Sequence, residues 1–354
     1  MSVSGIPVVN ATIYQDNPYH ALLYAALGGR YDAIRGGIED AFSLLADGPA
    51  LLHIHWEEHA LRGAASPAEA MLTARHLAAR LAAFRAAGGR ILWTLHNAAP
   101  HEALPEAALL EWRRAIAATA HRILVHSTEA LSVLEAMVGP VAEKAFLLPH
   151  PAYLGIYEPE PAHPAPPEGR GLLCFGKLRG YKRLDRVVEA LPEAMLAGLG
   201  ARLTIAGEAL PGDAGLAAVQ AATAGRASLD WQIRRITDAE TAQLFRSTRA
   251  VVLDYERHLT SGVALLALSF GRPLVAPRLP GLVEILPAAA HRLLFTPGSA
   301  EDLRRAAVEA LGMDPATRAA LAEACLDRAR HYHPQRISRI LGGLYDEVLG
   351  PAGG

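Results

Sequence analysis

Leu172-Leu173-Cys174-Phe175-Gly176-Lys177-Leu178-Arg179-Gly180-Tyr181-Lys182-Arg183-Leu184-Asp185 decides how the rest of this chain is read. Four apolar residues run into a glycine. A loop carrying four basic residues follows, and the apolar spacing from Leu184 to Leu191 then predicts a helix. Strand, loop and helix in that order form the repeating unit of a parallel sheet covered by helices.

Outward from there the same unit recurs. Strands are predicted near Arg202 to Ala206, Ala250 to Leu253 and Pro273 to Ala276, each followed by a helix-like segment. In the first half the branched, apolar runs Pro7 to Ile13, Leu51 to His55, Arg90 to Thr94, Arg122 to Val125 and Ala145 to Leu148 read as strands. Between the halves, residues 157–171, YEPEPAHPAPPEGRG, are too rich in proline and glycine to continue a helix. The expected domains are therefore 1–160 and 161–333, with a terminal helix from Pro334 to Leu349 packing back on the first. Its stripe is Ile337, Ile340, Leu341, Leu344 and Leu349. The fold class is α/β, two Rossmann-like domains, with ligands expected beyond the carboxyl ends of the strands.

Composition narrows the function. The chain has 354 residues, 51% of them hydrophobic, and a formal charge of -2, so it has no global attraction for nucleic acid. Its two cysteines are too few for a disulfide framework, and Cys174 lies inside an apolar run. MSVSGIPVVN lacks the basic start and apolar stretch of a signal peptide, and no run reaches the roughly 18 apolar residues that span a bilayer. A cytoplasmic setting is expected. Peripheral contact with the inner membrane face rests on residues 67–87, where Arg75, His76, Arg80 and Arg85 alternate with Leu72, Leu77, Leu81 and Phe84. A sheet-covering helix with a basic outer face is the plain alternative.

The chemistry sits at strand ends. A departing diphosphate gains charge in the transition state, and fixed cations act more strongly there than in the ground state. Lys177 and Lys182, with Arg179 beside them, suit that role; lysine occurs only there and at Lys144. A solvated basic turn is the plain alternative. Thr260, Ser261 and Gly262 open the helix predicted over Val263 to Phe270, where unpaired N–H groups make an anion site or simply a helix cap. Glu284 begins a further helix and reads as a contact for hydroxyls or as a favourable N-terminal charge. In the first half His55, Trp56, Glu57 and His96 follow strands, and Glu102 lies close behind. His96, Glu57 and Glu102 are the candidate bases. His53 and His55 share one face of a strand, but no third ligand stands at a defined spacing, so no metal and no cofactor are expected. No Asp-x-Asp triplet occurs to hold a cation on phosphates.

Together these segments resemble the GT-B superfamily of glycosyltransferases, most clearly from Leu172 to Leu286. In the family loop G-R-L-x-x-x-K-G-x-D an arginine and a lysine contact the donor diphosphate. Gly176-Lys177-Leu178 and Lys182-Arg183-Leu184-Asp185 match its positions, with Lys177 in place of arginine. The resemblance implies a nucleotide diphosphate sugar as donor, base contacts at Ile233 and Arg234, and a role for His96 at the donor sugar or phosphate. The family's paired glutamates, E-x7-E, fall on His258 and Leu266 here, so either Glu256 or Glu284 compensates or the donor is held mainly through backbone and diphosphate contacts. A similar Leu-Thr-Ser-Gly run in bacterial exopolysaccharide mannosyltransferases makes GDP-mannose the first donor expected and a glycolipid or saccharide the acceptor. Asn17, Tyr19, His55 and Trp56 are the expected acceptor contacts. A nucleotide-sugar 2-epimerase and a noncatalytic sugar-nucleotide binder are the rival readings.

Overall fold

The computed structural model describes residues 5–12, 17–99, 104–167, 169–256 and 259–350. The chain forms two compact units, Met1–Pro151 with Pro334–Gly354, and Ala152–His333.

The first unit carries strands β1 (Ile6–Ala11), β2 (Tyr31–Arg35), β3 (Leu51–His55), β4 (Arg90–Thr94), β5 (Arg122–Val125) and β6 (Ala145–Leu147). They form one parallel sheet in the order β2-β1-β3-β4-β5-β6. Its helices are α1 (Pro18–Leu23), α2 (Ile38–Leu45), α3 (Pro67–Ala86), α4 (Glu106–Thr119) and α5 (Thr128–Val138). Central strands are buried on both faces, which is why β3 reads as the nearly continuous apolar run Leu-Leu-His-Ile-His with every residue buried. Helix starts follow capping chemistry: Ser66 Oγ accepts from Glu69 N at 3.2 Å ahead of Pro67, and Ser127 Oγ accepts from Ala130 N at 3.1 Å.

The second unit repeats the plan with β7 (Gly171–Phe175), β8 (Arg202–Ala206), β9 (Leu229–Gln232), β10 (Thr248–Val252), β11 (Leu274–Pro277) and β12 (Leu294–Phe295), parallel in the order β12-β11-β10-β7-β8-β9. Its helices are α6 (Leu184–Ala190), α7 (Glu193–Gly198), α8 (Ala214–Ala222), α9 (Asp238–Ser247), α10 (Gly262–Ser269), α11 (Pro280–Ile285), α12 (Ala300–Gly312) and α13 (Pro315–His331). Helix α14 (Pro334–Leu349) belongs to the first unit, where Ile337, Leu341 and Leu344 join the core formed by Val8, Leu51 and Leu92.

The strands without a sequence signal are β2, β9 and β12. Each lies at a sheet edge with one neighbour, so Tyr-Asp-Ala-Ile-Arg and Leu-Asp-Trp-Gln keep polar residues that a central strand would exclude. The proline-rich segment is tied to the second unit: Ala165 O accepts from Arg272 Nη1 at 2.9 Å, and Glu158 pairs with Arg246 at 2.8 Å. Helix α3 packs inward through Leu81 and Phe84, which are fully buried. Two of its basic residues are engaged too, Arg80 with Glu39 and over Phe42, and Arg85 with Thr119 O at 2.6 Å, while Arg75 and His76 are exposed. Leu72 alone of its large apolar residues stays well exposed. This is the pattern of a sheet-covering helix. No helix among the described residues is long and apolar enough to cross a membrane.

Candidate active site

At the carboxyl ends of β7 and β10 the second unit gathers its candidate anion-binding groups. Gly176 turns the chain out of β7 with a left-handed φ of 91°. A side chain there would lie 3.3 Å from Lys182 Nζ and 3.4 Å from Val263 Cγ2, so the lysine ammonium and the first turn of α10 converge on this glycine. Close packing continues beneath it: a Cβ at Gly207, φ 143°, would fall 2.1 Å from Gly176 O.

Lys182 differs from the exposed loop residue that its sequence context suggests. It is 6% exposed, and Nζ donates to Phe175 O at 2.6 Å. Burial pushes its pKa down to about 8. The turn that sets it there includes Arg183 in a left-handed conformation, φ 43°, held by the carboxylates of Asp185 and Glu256. Glu256 is thereby engaged with Arg183 and remains exposed. Ser261 caps α10, its Oγ accepting from Ala264 N at 3.1 Å, and Thr260 Oγ1 is buried with no partner among the described residues.

The other second-unit candidates are more dispersed. Lys177 is exposed on the loop, and the Arg179 guanidinium folds onto Leu178 O at 2.9 Å. Ile233 and Arg234 follow β9, with Arg234 paired to Glu240 at 2.7 Å. Glu284 is half-buried on α11. Leu266 is core on α10. His258 and Glu102 lie outside the described residues.

In the first unit, successive strand ends deliver histidines to one place. His53 and His55 come from β3, His96 follows β4, His126 follows β5, His150 lies past β6, and Tyr19 and His20 come from α1. Their rings pack together: Tyr19 stands edge-on to His96 at 4.9 Å and to His55 at 5.7 Å, and it lies 4.8 Å from His150. Hydrogen bonds thread the cluster. His96 Nε2 meets His55 Nδ1 at 3.0 Å, His55 Nε2 meets Tyr24 OH at 3.0 Å, and His53 bridges Tyr345 OH and Thr94 Oγ1 at 2.8 Å each. His126 Nδ1 donates to Leu148 O at 2.7 Å, so its Nε2 accepts from Tyr19 OH at 3.2 Å. Burial keeps these imidazoles neutral, with His53 pushed down to about 3, His126 to about 4, and His55 and His96 well below 6.5. Among the described residues no three His, Cys, Asp or Glu side chains are arranged to hold a metal ion.

Trp56 closes the cluster. It adopts a left-handed φ of 46°, a strained value for an indole residue, and stacks on His96 at 3.9 Å with the planes 9° apart. Beside it opens a cavity of about 240 Å³ lined by Ala11, Thr12, Ile54, His55, Trp56 and Leu81 among others. Of the expected acceptor residues, His55 and Trp56 line this cavity. Tyr19 is 1% exposed and packs beneath them, and Asn17 caps α1 by accepting from Tyr19 N at 3.0 Å.

Two adjacent glutamates have opposite fates. Glu57 Oε1 binds Arg113 Nε at 2.6 Å, Oε2 accepts from Trp93 Nε1 at 3.1 Å, and its backbone oxygen accepts from Trp112 Nε1 at 3.1 Å. That carboxylate is a fully committed structural ion. Glu58, equally buried, accepts from Asn97 Nδ2 at 2.8 Å, and its Oε2 has no side-chain partner among the described residues. Burial, with the Glu57 charge beside it, pushes Glu58 up to about 7. Sequence reasoning passed over Glu58 because adjacent glutamates at a strand end look alike. It also passed over His126 and His150, whose signal was the repeated placement of histidine after a strand.

Residues 169–313 match the family described as Glycosyl transferases group 1. The chain is 29% identical over 266 residues to a GDP-mannose:glycolipid 4-beta-D-mannosyltransferase of Xanthomonas campestris pv. campestris, covering 74% of this chain and 70% of that one. In three dimensions it is similar to the sucrose-phosphate synthase of Thermosynechococcus elongatus, with TM-score 0.72, 17% identity, and 98% and 100% of the two chains covered. It is also similar to Anabaena HepE in complex with UDP-glucose, with TM-score 0.71, 12% identity, and 96% and 99% covered. The second unit carries a Glycosyl transferases group 1 match, and the chain has the two-domain fold of the GT-B glycosyltransferases.

The family match lies within the second unit and includes the Gly176 turn, Lys182 and the start of α10. The histidine cluster lies in the first unit, outside those matched residues.

Proposed function

We propose that this glycosyltransferase takes a nucleoside diphosphate sugar, GDP-mannose first among them, and transfers the sugar to a glycolipid or saccharide acceptor without a divalent cation. The convergence of the Lys182 ammonium and the first turn of α10 on Gly176 carries this reading. A lysine and a helix N-terminus together offer positive charge and N–H donors to a diphosphate as the bond to the sugar breaks. Lys177 and Arg179 are assigned to the outer phosphate, Ile233 and Arg234 to the base, and Thr260 to Gly262 with Glu284 to the donor's remaining polar groups. The mannosyl donor rests on the name of the Xanthomonas relative and on 29% identity.

The acceptor is assigned to the strand ends of the first unit, over His55 and Trp56. The acceptor oxygen bonds to the anomeric carbon, the diphosphate leaves with the bonding pair, and a base takes the hydroxyl proton. Glu57 is committed elsewhere, so His96 and Glu58 are the first-unit groups assigned to that proton. His96 is held in the neutral form that accepts one, and Glu58 ionises near pH 7. Activity rising through pH 7 selects Glu58, and activity already at its plateau there selects His96.

The test is a thermal-shift series with GDP, UDP, ADP and TDP, with and without magnesium, followed by transfer from the stabilising nucleotide's sugar conjugates. Selective, magnesium-independent stabilisation that Lys182→Ala abolishes is expected. No shift with any nucleotide removes the donor reading, and conversion of the donor alone to its epimer replaces transfer with epimerisation.

A further inference from the structure

The cavity beside Trp56 is built for an apolar occupant. It measures about 240 Å³, and aliphatic side chains from several elements line it, Leu52 and Ile54 from β3, Ile38 from α2, and Leu77 and Leu81 from α3. Two polar side chains that reach it are already satisfied within the protein. Glu57 commits both carboxylate oxygens to Arg113 and Trp93, and His55 commits both ring nitrogens to His96 and Tyr24. Water settles only where several polar partners hold it, whereas an apolar cavity of about 150 Å³ stays dry and takes up a hydrocarbon such as benzene. Nor is the space sealed from solvent: of the residues that line it, Ala60 is exposed, and Ile38, Trp56 and Leu77 are half-buried.

The position of the cavity indicates what its occupant is joined to. Ala11 and Thr12 bring the end of β1 to its wall, and His55 and Trp56 bring the end of β3. Trp56 has two neighbours there: its indole lines the cavity and also stacks on His96 at 3.9 Å, with the backbone held at a left-handed φ of 46°. We propose that this cavity holds an aliphatic chain of the acceptor, so that the acceptor is a glycolipid rather than a free saccharide. The inference rests on the reading that the first unit takes the acceptor, and it chooses between the two acceptor classes. Counting each methylene as one water volume, about 30 Å³, the 240 Å³ hold a chain of about eight carbons.

The test is a chain-length series. Methyl, butyl, hexyl, octyl and decyl β-D-glucopyranosides, each below its micelle concentration and without nucleotide, are titrated into the full chain and read by calorimetry. Burying one methylene tightens binding about fourfold, so affinity is expected to rise at that rate per carbon up to octyl and to level off by decyl. Two variants fill the cavity from different walls, Ala11→Leu and Leu77→Phe, both at half-buried positions, with the melting temperature of each as the check on folding. Each is expected to weaken octyl binding about tenfold or more and to bring the levelling to a shorter chain; if one does not fold, the other decides. Affinity that rises equally from octyl to decyl in wild type and variants means adsorption to the surface and overturns the proposal, as do binding independent of chain length and no binding at all. Transfer is read separately with GDP-mannose as donor, and octyl glucoside is expected to have a KM about tenfold or more below that of methyl glucoside. Equal KM values overturn the proposal and leave the acceptor reading standing. A GDP shift with no transfer to either glucoside overturns the acceptor reading itself, whatever the chain series shows.

Discussion

Replacing Glu58 by glutamine is expected to stabilise the protein at pH 8 and to lose that advantage at pH 5. In the unfolded chain this carboxyl ionises near 4.5, whereas in the folded protein burial and Glu57 hold it protonated up to about 7. Between those values the folded state keeps a proton that the unfolded state has lost, so stability falls as pH rises from 4.5 to 7 and then levels off. Each pH unit between the two ionisations is worth 1.36 kcal/mol, so the wild type gives up about 3 kcal/mol by pH 8. Glutamine keeps an oxygen for Asn97 Nδ2 and cannot ionise. Urea unfolding at the two pH values measures the difference, with tryptophan emission as the signal, since Trp56, Trp93 and Trp112 lie in the first unit and only Trp231 in the second. A Glu58→Gln variant whose stability relative to wild type is the same at both pH values would refute a raised carboxyl.

Three further outcomes are expected. GDP binding near pH 8.5 should take up protons, because Lys182, partly neutral at that pH, recharges beside a diphosphate; calorimetry in buffers of different ionisation enthalpy reads the uptake, and identical heats exclude it. Arg113→Met strips Glu57 of its ion pair and should cost about 3–5 kcal/mol in urea unfolding, the penalty for an unpaired buried charge; a cost below about 1 kcal/mol means that Glu57 is not held as described. Gly207→Ala drives a methyl group into Gly176 O at 2.1 Å and should destabilise the second unit by about 2–5 kcal/mol while moving the Gly176 turn, so a variant with wild-type melting and GDP affinity contradicts this packing.

Much of this was legible along the chain because it is local. Central strands buried on both faces must be apolar, so β3, β4, β5 and β8 carry their boundaries in their composition, and the stripe of α14 follows from the helical period. The glycine and lysines of residues 176–182 and the Thr-Ser-Gly helix start at 260–262 are each short local words, which the sequence reads as a candidate phosphate loop and a helix start. What tertiary structure decided is what each polar side chain does once water is removed. Glu57 and Glu58 are neighbours with the same chemistry, yet Arg113, 56 residues away, reaches the first, and among the described residues an amide side chain reaches the second. Lys182 reads as a surface cation until the turn folds it onto Phe175 O. His20, His53, His55, His96, His126 and His150 become one cluster only because β3 to β6 lie side by side and end at one edge of the sheet, with α1 against it. Desolvation and partnership depend on residues distant in sequence, so the chemistry of this site is set by the packing of the whole unit.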